Sequence, residues 1–195
     1  MSASEDTSFP RLVSLACHDL RTPLATVSGF AKTLTVLEGV DDKLARYLGL
    51  MAAASEQLAE LLEELGLAAR IAGGRYDPAL REIDTLALAQ SAAARVEATD
   101  ASGTGELVDM DVEALERALF RFADCLRRHG PVESVQLEVS GAEIRLRPVT
   151  AEAAPVVLGE ELRDLGSAVG RELVEALGGT VAVEDAVLVV RLPRR

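Results

Sequence analysis

The sequence predicts an α+β chain, in which an N-terminal antiparallel helical hairpin dimerises into a four-helix bundle and an α/β sandwich follows. Three observations carry this expectation. Residues 10–37 gather apolar side chains on one helical face, residues 41–72 repeat apolar positions every seven residues, and beyond Gly73-Gly74 short β-like runs alternate with helical ones. At 195 residues and 49% hydrophobic composition, the chain suffices for one moderate domain or two small ones with a sizeable core.

Walked at about 100° per residue, the helical period, the first segment places Leu12, Ala16, Leu20, Leu24, Val27, Phe30, Ala31 and Leu34 on one stripe. His18 falls opposite the centre of that stripe, with Ser14, Arg21, Thr22 and Ala25 as surface neighbours. A histidine so placed is solvated and not part of a core. Pro23 lacks an N–H and crowds the preceding turn, so a bend or loosening is expected just beyond the histidine.

In the second segment Leu44, Met51, Leu58 and Leu65 recur every seven residues, with Leu48, Ser55, Leu62 and Ala69 four positions after each. This two-track seam is the pattern of a helix packed in a bundle. Asp41 and Asp42 offer start chemistry and Gly73-Gly74 a stop, which bounds the helix at residues 41–72. The short Glu38-Gly39 connection forces an antiparallel hairpin. Two helices alone cannot bury seams on both partners, so a homodimer is expected. Glu56, Glu60, Glu63 and Glu64 read as a solvated face of the second helix.

Gly73, Gly74 and Pro78 mark a linker, giving domains at residues 1–75 and 76–195. In the second, residues 82–86 read as a strand, 87–98 as a helix and 106–110 as a strand. Asp111 caps a helix ending near His129, ahead of Gly130-Pro131. Residues 134–139 and 143–147 form a hairpin around Gly141. After an irregular stretch, residues 161–177 read as a helix stopped by Gly178-Gly179, and residues 180–183 with 187–192 make a last hairpin. Helices on one face of a mixed sheet complete the sandwich.

Composition narrows the function classes. A formal charge of −12 argues against nucleic acid as a direct partner, since phosphate binding needs a basic patch. No apolar run reaches membrane-spanning length, and the first residues lack the basic and apolar regions of a secretory leader, so a cytoplasmic protein without membrane contact is expected. Cys17 and Cys125 lie on expected helices without metal-ligand spacing and read as reduced packing residues. His129, at a helix end, reads as a cation favoured by the helix dipole.

The string His18-Asp19-Leu20-Arg21-Thr22-Pro23-Leu24 resembles the phosphoacceptor box of the histidine kinase family: a His, an acidic residue, a Thr or Asn four positions after the His, then Pro. The resemblance implies that residues 1–75 are a dimerisation and histidine phosphotransfer domain. Residues 76–195 are similar to the ATP-binding domain of the same family, most closely over the segment from Arg171 to Val181 and the hairpin after it. Its chemistry departs from the family at three places. In residues 120–129 Asp124 matches, but Cys125 stands where the family has its magnesium-binding Asn. The loop at residues 148–155 has neither the Asp nor the glycines of the adenine-reading motif. A third motif survives only as Leu165-Gly166-Ser167 with an isolated Gly170, and little chain remains for a nucleotide lid.

An intact histidine box beside a degenerate nucleotide site near Asp124, Cys125 and Gly166 resembles the dimeric histidine phosphotransferases of phosphorelays. That resemblance implies that His18 takes a phosphoryl group from the aspartate of one response-regulator receiver and gives it to another. Asp19 would orient the imidazole or take up its proton, Arg21 would neutralise phosphoryl oxygens, and Thr22 would position a water for dephosphorylation. No cofactor or metal is expected on this chain, magnesium arriving with the receiver. The alternatives are an active sensor-type kinase with a divergent ATP site, a receiver phosphatase, and a non-enzymatic dimeric docking scaffold.

Overall fold

Helix α1 (Ser8–Thr35) and helix α2 (Asp42–Ala72) form the first of two units, Met1–Arg75 and Tyr76–Arg195, in a computed structural model that describes residues 8–35 and 41–194. The Glu38-Gly39 connection lies outside the described residues. α1 runs unbroken through Pro23. α2 starts on Asp41, whose carboxylate accepts the Leu44 N–H at 2.7 Å, and stops at Gly73. Lys32 and Glu56 pair across the hairpin at 2.6 Å.

The two tracks of α2 separate by burial. Leu48, Ser55 and Ala69 are buried and Leu62 half-buried, facing α1, where Cys17 and Ala31 are buried and Leu24 half-buried. Leu44, Met51, Leu58 and Leu65 are instead 40–52% exposed, as are Leu20, Val27, Phe30 and Leu34 at 42–66%. The expected single stripe on α1 therefore splits, because one antiparallel partner covers only part of an apolar arc wider than a two-helix contact. Glu64 also departs from expectation. It is buried, one turn before Leu67 on the inward face, while Glu56, Glu60 and Glu63 are exposed.

The second unit runs β1 (Leu80–Asp84), α3 (Thr85–Ala93), β2 (Thr99–Gly105), β3 (Leu107–Asp111), α4 (Val112–His129), β4 (Val135–Gly141), β5 (Glu143–Arg147), α5 (Ala154–Val157), α6 (Leu165–Ala176), β6 (Thr180–Glu184) and β7 (Val187–Arg191). A five-stranded sheet has the order β2-β4-β5-β7-β6, with β2 parallel to β4 and the rest antiparallel; β1 and β3 pair separately. Strand alternation puts Val135, Leu137, Val139, Ile144 and Leu146 on the buried face, under Leu88, Leu115, Leu119, Phe122, Leu126 and Leu173 of the helices. Gln136, Arg145 and Arg147 take the wet face. The fold is thus the expected mixed sheet with helices on one side.

Boundaries moved where a side chain captured a helix start. Asp84 accepts the N–H groups of Leu86 at 2.9 Å and Ala87 at 3.0 Å, so the expected strand ends at residue 84 and helix begins at Thr85. Asp164 likewise accepts the Ser167 N–H at 2.9 Å and starts α6 four residues later than the sequence suggests. Asp111 caps α4 through the Ala114 N–H at 3.2 Å. Its other oxygen accepts the Tyr76 hydroxyl at 2.8 Å and the Ala79 N–H at 3.3 Å. β2 and α5 were not expected. β2, Thr-Asp-Ala-Ser-Gly-Thr-Gly, has no apolar alternation and is held by its backbone ladder to β4. Its Gly103 adopts φ +126° against the Val139 backbone, where no Cβ fits.

Candidate functional site

His18 sits on the outer face of α1 with its side chain 78% exposed, and Asp19 follows it at 67%. The His18 Nδ1 lies 3.1 Å from Asp19 Oδ1. With the proton on Nδ1 this contact fixes the tautomer and leaves the Nε2 lone pair directed at solvent, the arrangement a nitrogen nucleophile requires. Arg21 and Thr22, one turn on, are also exposed. All four residues singled out in the box therefore share the wet side of one helix. One turn beyond, the Thr26 hydroxyl donates to the Thr22 carbonyl at 3.1 Å.

His18 and Arg21 line a pocket of about 250 Å³ with Cys17, Gly66, Arg70 and Arg75. Three guanidinium groups thus flank the histidine in a chain of net charge −12. Such a local positive field suits a phosphoryl group, because guanidinium binds its oxygens with charge-assisted hydrogen bonds. Arg70 and Arg75 were not singled out from the sequence. In one dimension they look like ordinary basic residues at a helix end; antiparallel pairing brings them beside a residue some fifty positions earlier.

In the second unit, the residues of the degenerate nucleotide motifs meet around the end of α4 and the start of α6. Arg128 Nε lies 2.9 Å from Asp124 Oδ2, and Arg128 Nη2 lies 2.7 Å from Asp164 Oδ2. His129 Nε2 stands 3.4 Å from that same Asp164 oxygen. Cys125 is fully buried, and its burial pushes the thiol pKa up to about 11. Gly166 is buried under Arg121, whose Cδ would lie 2.6 Å from any Cβ there. In the loop before α5, Val149 and Ala153 are buried and Thr150 Oγ1 accepts the Ala153 N–H at 3.2 Å.

Folding brings Cys125 and His129 of α4 beside a carboxylate of another element. Cys125, His129 and Asp164 bring one ligand atom each to within 4.8 Å of one another. The third member comes from another element, 35 residues beyond His129, where no spacing rule on α4 would find it.

Residues 11–74 match the family model of the His Kinase A (phospho-acceptor) domain. Full-length ShkA, solved in complex with AMPPNP, is similar over 93% of this chain and 44% of its own, at 20% identity and a TM-score of 0.70. The histidine kinase AdeS of Acinetobacter baumannii is similar over 90% of this chain and 96% of its own, at 18% identity and a TM-score of 0.58. The chain spans less than half the length of ShkA. No curated protein matches it. A phosphoacceptor hairpin joined to an α/β unit defines the class, that of histidine-kinase-like proteins. Residues 11–74 carry the His Kinase A domain, and the fold of the chain is similar to that of histidine kinases.

Proposed function

We propose that this chain is a dimeric histidine phosphotransferase of a two-component relay, acting in the cytoplasm on response-regulator receivers. The observation that carries the reading is the exposed His18, held by Asp19 at 3.1 Å, in a chain whose nucleotide-motif residues bond one another. The Nε2 lone pair of His18 attacks the phosphorus of a receiver's aspartyl phosphate. A P–N bond forms as the P–O bond to the aspartate breaks, and the carboxylate leaves. Asp19 balances the positive charge on the imidazole while Arg21, with Arg70 and Arg75, meets the phosphoryl oxygens. Attack by a second receiver's aspartate reverses these steps. Thr22, a turn from His18, is placed to orient a water for hydrolysis.

A kinase of this family uses magnesium and ATP, and the residues present fit that pair poorly. Magnesium seeks hard oxygen ligands, and Cys125 offers a buried, protonated thiol. Arg128 and His129, the side chains placed to meet a phosphate, face the Asp164 carboxylate. Magnesium on this reading belongs to the receivers. Dimerisation is supported by the exposed apolar face of the hairpin and by the groove of about 320 Å³ lined by Leu20, Pro23, Leu24, Val27, Leu58 and Leu62.

The test is to offer the purified protein labelled ATP with magnesium and, separately, a labelled phospho-receiver. Acid-labile label on His18 from the receiver alone is the expected result. Label from ATP overturns it in favour of an active kinase. No label from either source leaves two readings: faster receiver dephosphorylation that depends on Thr22 identifies a phosphatase, and receiver binding without turnover identifies a scaffold.

A further inference from the structure

We propose that Cys125, His129 and Asp164 form a binding site for a borderline transition-metal ion of the zinc class. Cys125 and His129 are four residues apart and therefore project from one face of α4. Asp164 is the N-cap of α6, and the three donor atoms lie within 4.8 Å of one another. Zinc bonds of roughly 2.0–2.3 Å in tetrahedral geometry set neighbouring ligand atoms about 3.5 Å apart, so side-chain adjustment alone closes the site. Thiolate, imidazole and carboxylate together are a zinc set; magnesium would reject the first two.

A second, independent observation points to a cation. His129 Nε2 is a buried ring nitrogen with no hydrogen-bond partner, facing a carboxylate oxygen that is itself 2% exposed, 3.4 Å away. When the ring is neutral with its proton on Nδ1, its Nε2 lone pair faces that carboxylate oxygen, an arrangement favourable only with a proton or a metal ion between them. A metal ion resolves this conflict and at the same time takes the sulfur of Cys125. Asp164 can serve although it is already engaged. Its Oδ1 accepts the Ser167 N–H and its Oδ2 accepts Arg128, and each oxygen keeps a further lone pair. Arg128 then fixes the orientation of a ligand carboxylate. On binding, the Cys125 thiol proton is released to solvent as the metal–sulfur bond forms, with no change of oxidation state. Three protein ligands leave a fourth position for water. The site lies wholly within the second unit and does not depend on the phosphotransfer reading.

The experiment uses the full chain, stripped with a chelator and titrated with cobalt(II) under reducing, oxygen-free conditions. The expected result is a thiolate-to-cobalt charge-transfer band saturating at one ion per chain, abolished by competing zinc and unaffected by excess magnesium. The Cys17→Ser chain, in which Cys125 is the sole thiol, keeps the band and Cys125→Ser loses it. His129→Gln and Asp164→Asn each weaken binding by more than the roughly 10–100-fold that loss of a supporting hydrogen bond costs. Absence of the band from Cys17→Ser overturns the site even if Cys125→Ser fails to fold. So does unchanged cobalt affinity in His129→Gln.

Discussion

At the scale of single residues, what separates His18 from His129 is the side of the helix each occupies. His18 is exposed and braced by one carboxylate; His129 is largely buried against another. If Asp19 sets the His18 tautomer, Asp19→Asn slows receiver-to-His18 transfer by about 100-fold, while label still reaches His18. His18→Gln abolishes labelling. Rapid-quench transfer assays distinguish the two. Cys125 provides a prediction in pH. Its thiol stays protonated in the folded chain to about pH 11, against an ordinary value of 9.0, because burial disfavours the thiolate. Between those limits the folded state holds more protons than the unfolded one, so stability falls as pH rises and is unaffected below 9. The loss amounts to about 2–3 kcal/mol. Denaturant unfolding at pH 8 and pH 10.5 checks it: the stability advantage of the wild-type chain over Cys125→Ala narrows at the higher pH. His18, Asp19, Arg21 and Thr22 were legible because they are contiguous on one helix. Arg70, Arg75 and Asp164 were not, because only folding makes them neighbours of the residues they serve.

At the scale of elements, α2 carries two seven-residue tracks with different burdens. Leu48 is buried against α1, whereas Leu58 stands 52% exposed. Leu58→Glu therefore leaves helical content intact but converts the expected dimer to a monomer, readable by light scattering. Leu48→Ala instead destabilises the hairpin itself by about 2–5 kcal/mol. The heptads were plain in the sequence, but which track faces which partner was not, since apolar periodicity is blind to what lies opposite. Strand β2 shows the converse failure. Thr99–Gly105 has no amphipathic signal, and its strand character comes from the parallel ladder to β4, with Gly103 admitted by a backbone conformation that side chains avoid. The starts of α3 and α6 shifted because Asp84 and Asp164 supplied the caps, a short-range choice that strand and helix propensities do not resolve, whereas Asp41 and Asp111 cap where expected.

At the scale of the whole molecule, two units with separate cores are expected to melt separately. Calorimetry should resolve two transitions, of which only the hairpin's moves to higher temperature with protein concentration, because only that unit gains stability from self-association. Leu58→Glu removes the concentration dependence and leaves the second transition in place. Fold class was accessible from the sequence at this scale because periodicity switches at Gly73-Gly74, and that switch coincides with a change in what each segment must bury.

The carboxylate of Asp111 has a mechanical consequence. One of its oxygens caps α4 while the other holds Tyr76 and Ala79, the stretch through which the chain arrives from α2. Leu80, the next residue, is paired with Asp111 itself as the first rung of the β1–β3 ladder. A pull transmitted along the polypeptide from the hairpin therefore reaches Asp111 through Tyr76 and Ala79 before it reaches the ladder. Asp111 acts as a cleat, passing tugging on the cord that enters the unit into the start of α4 and the end of β3.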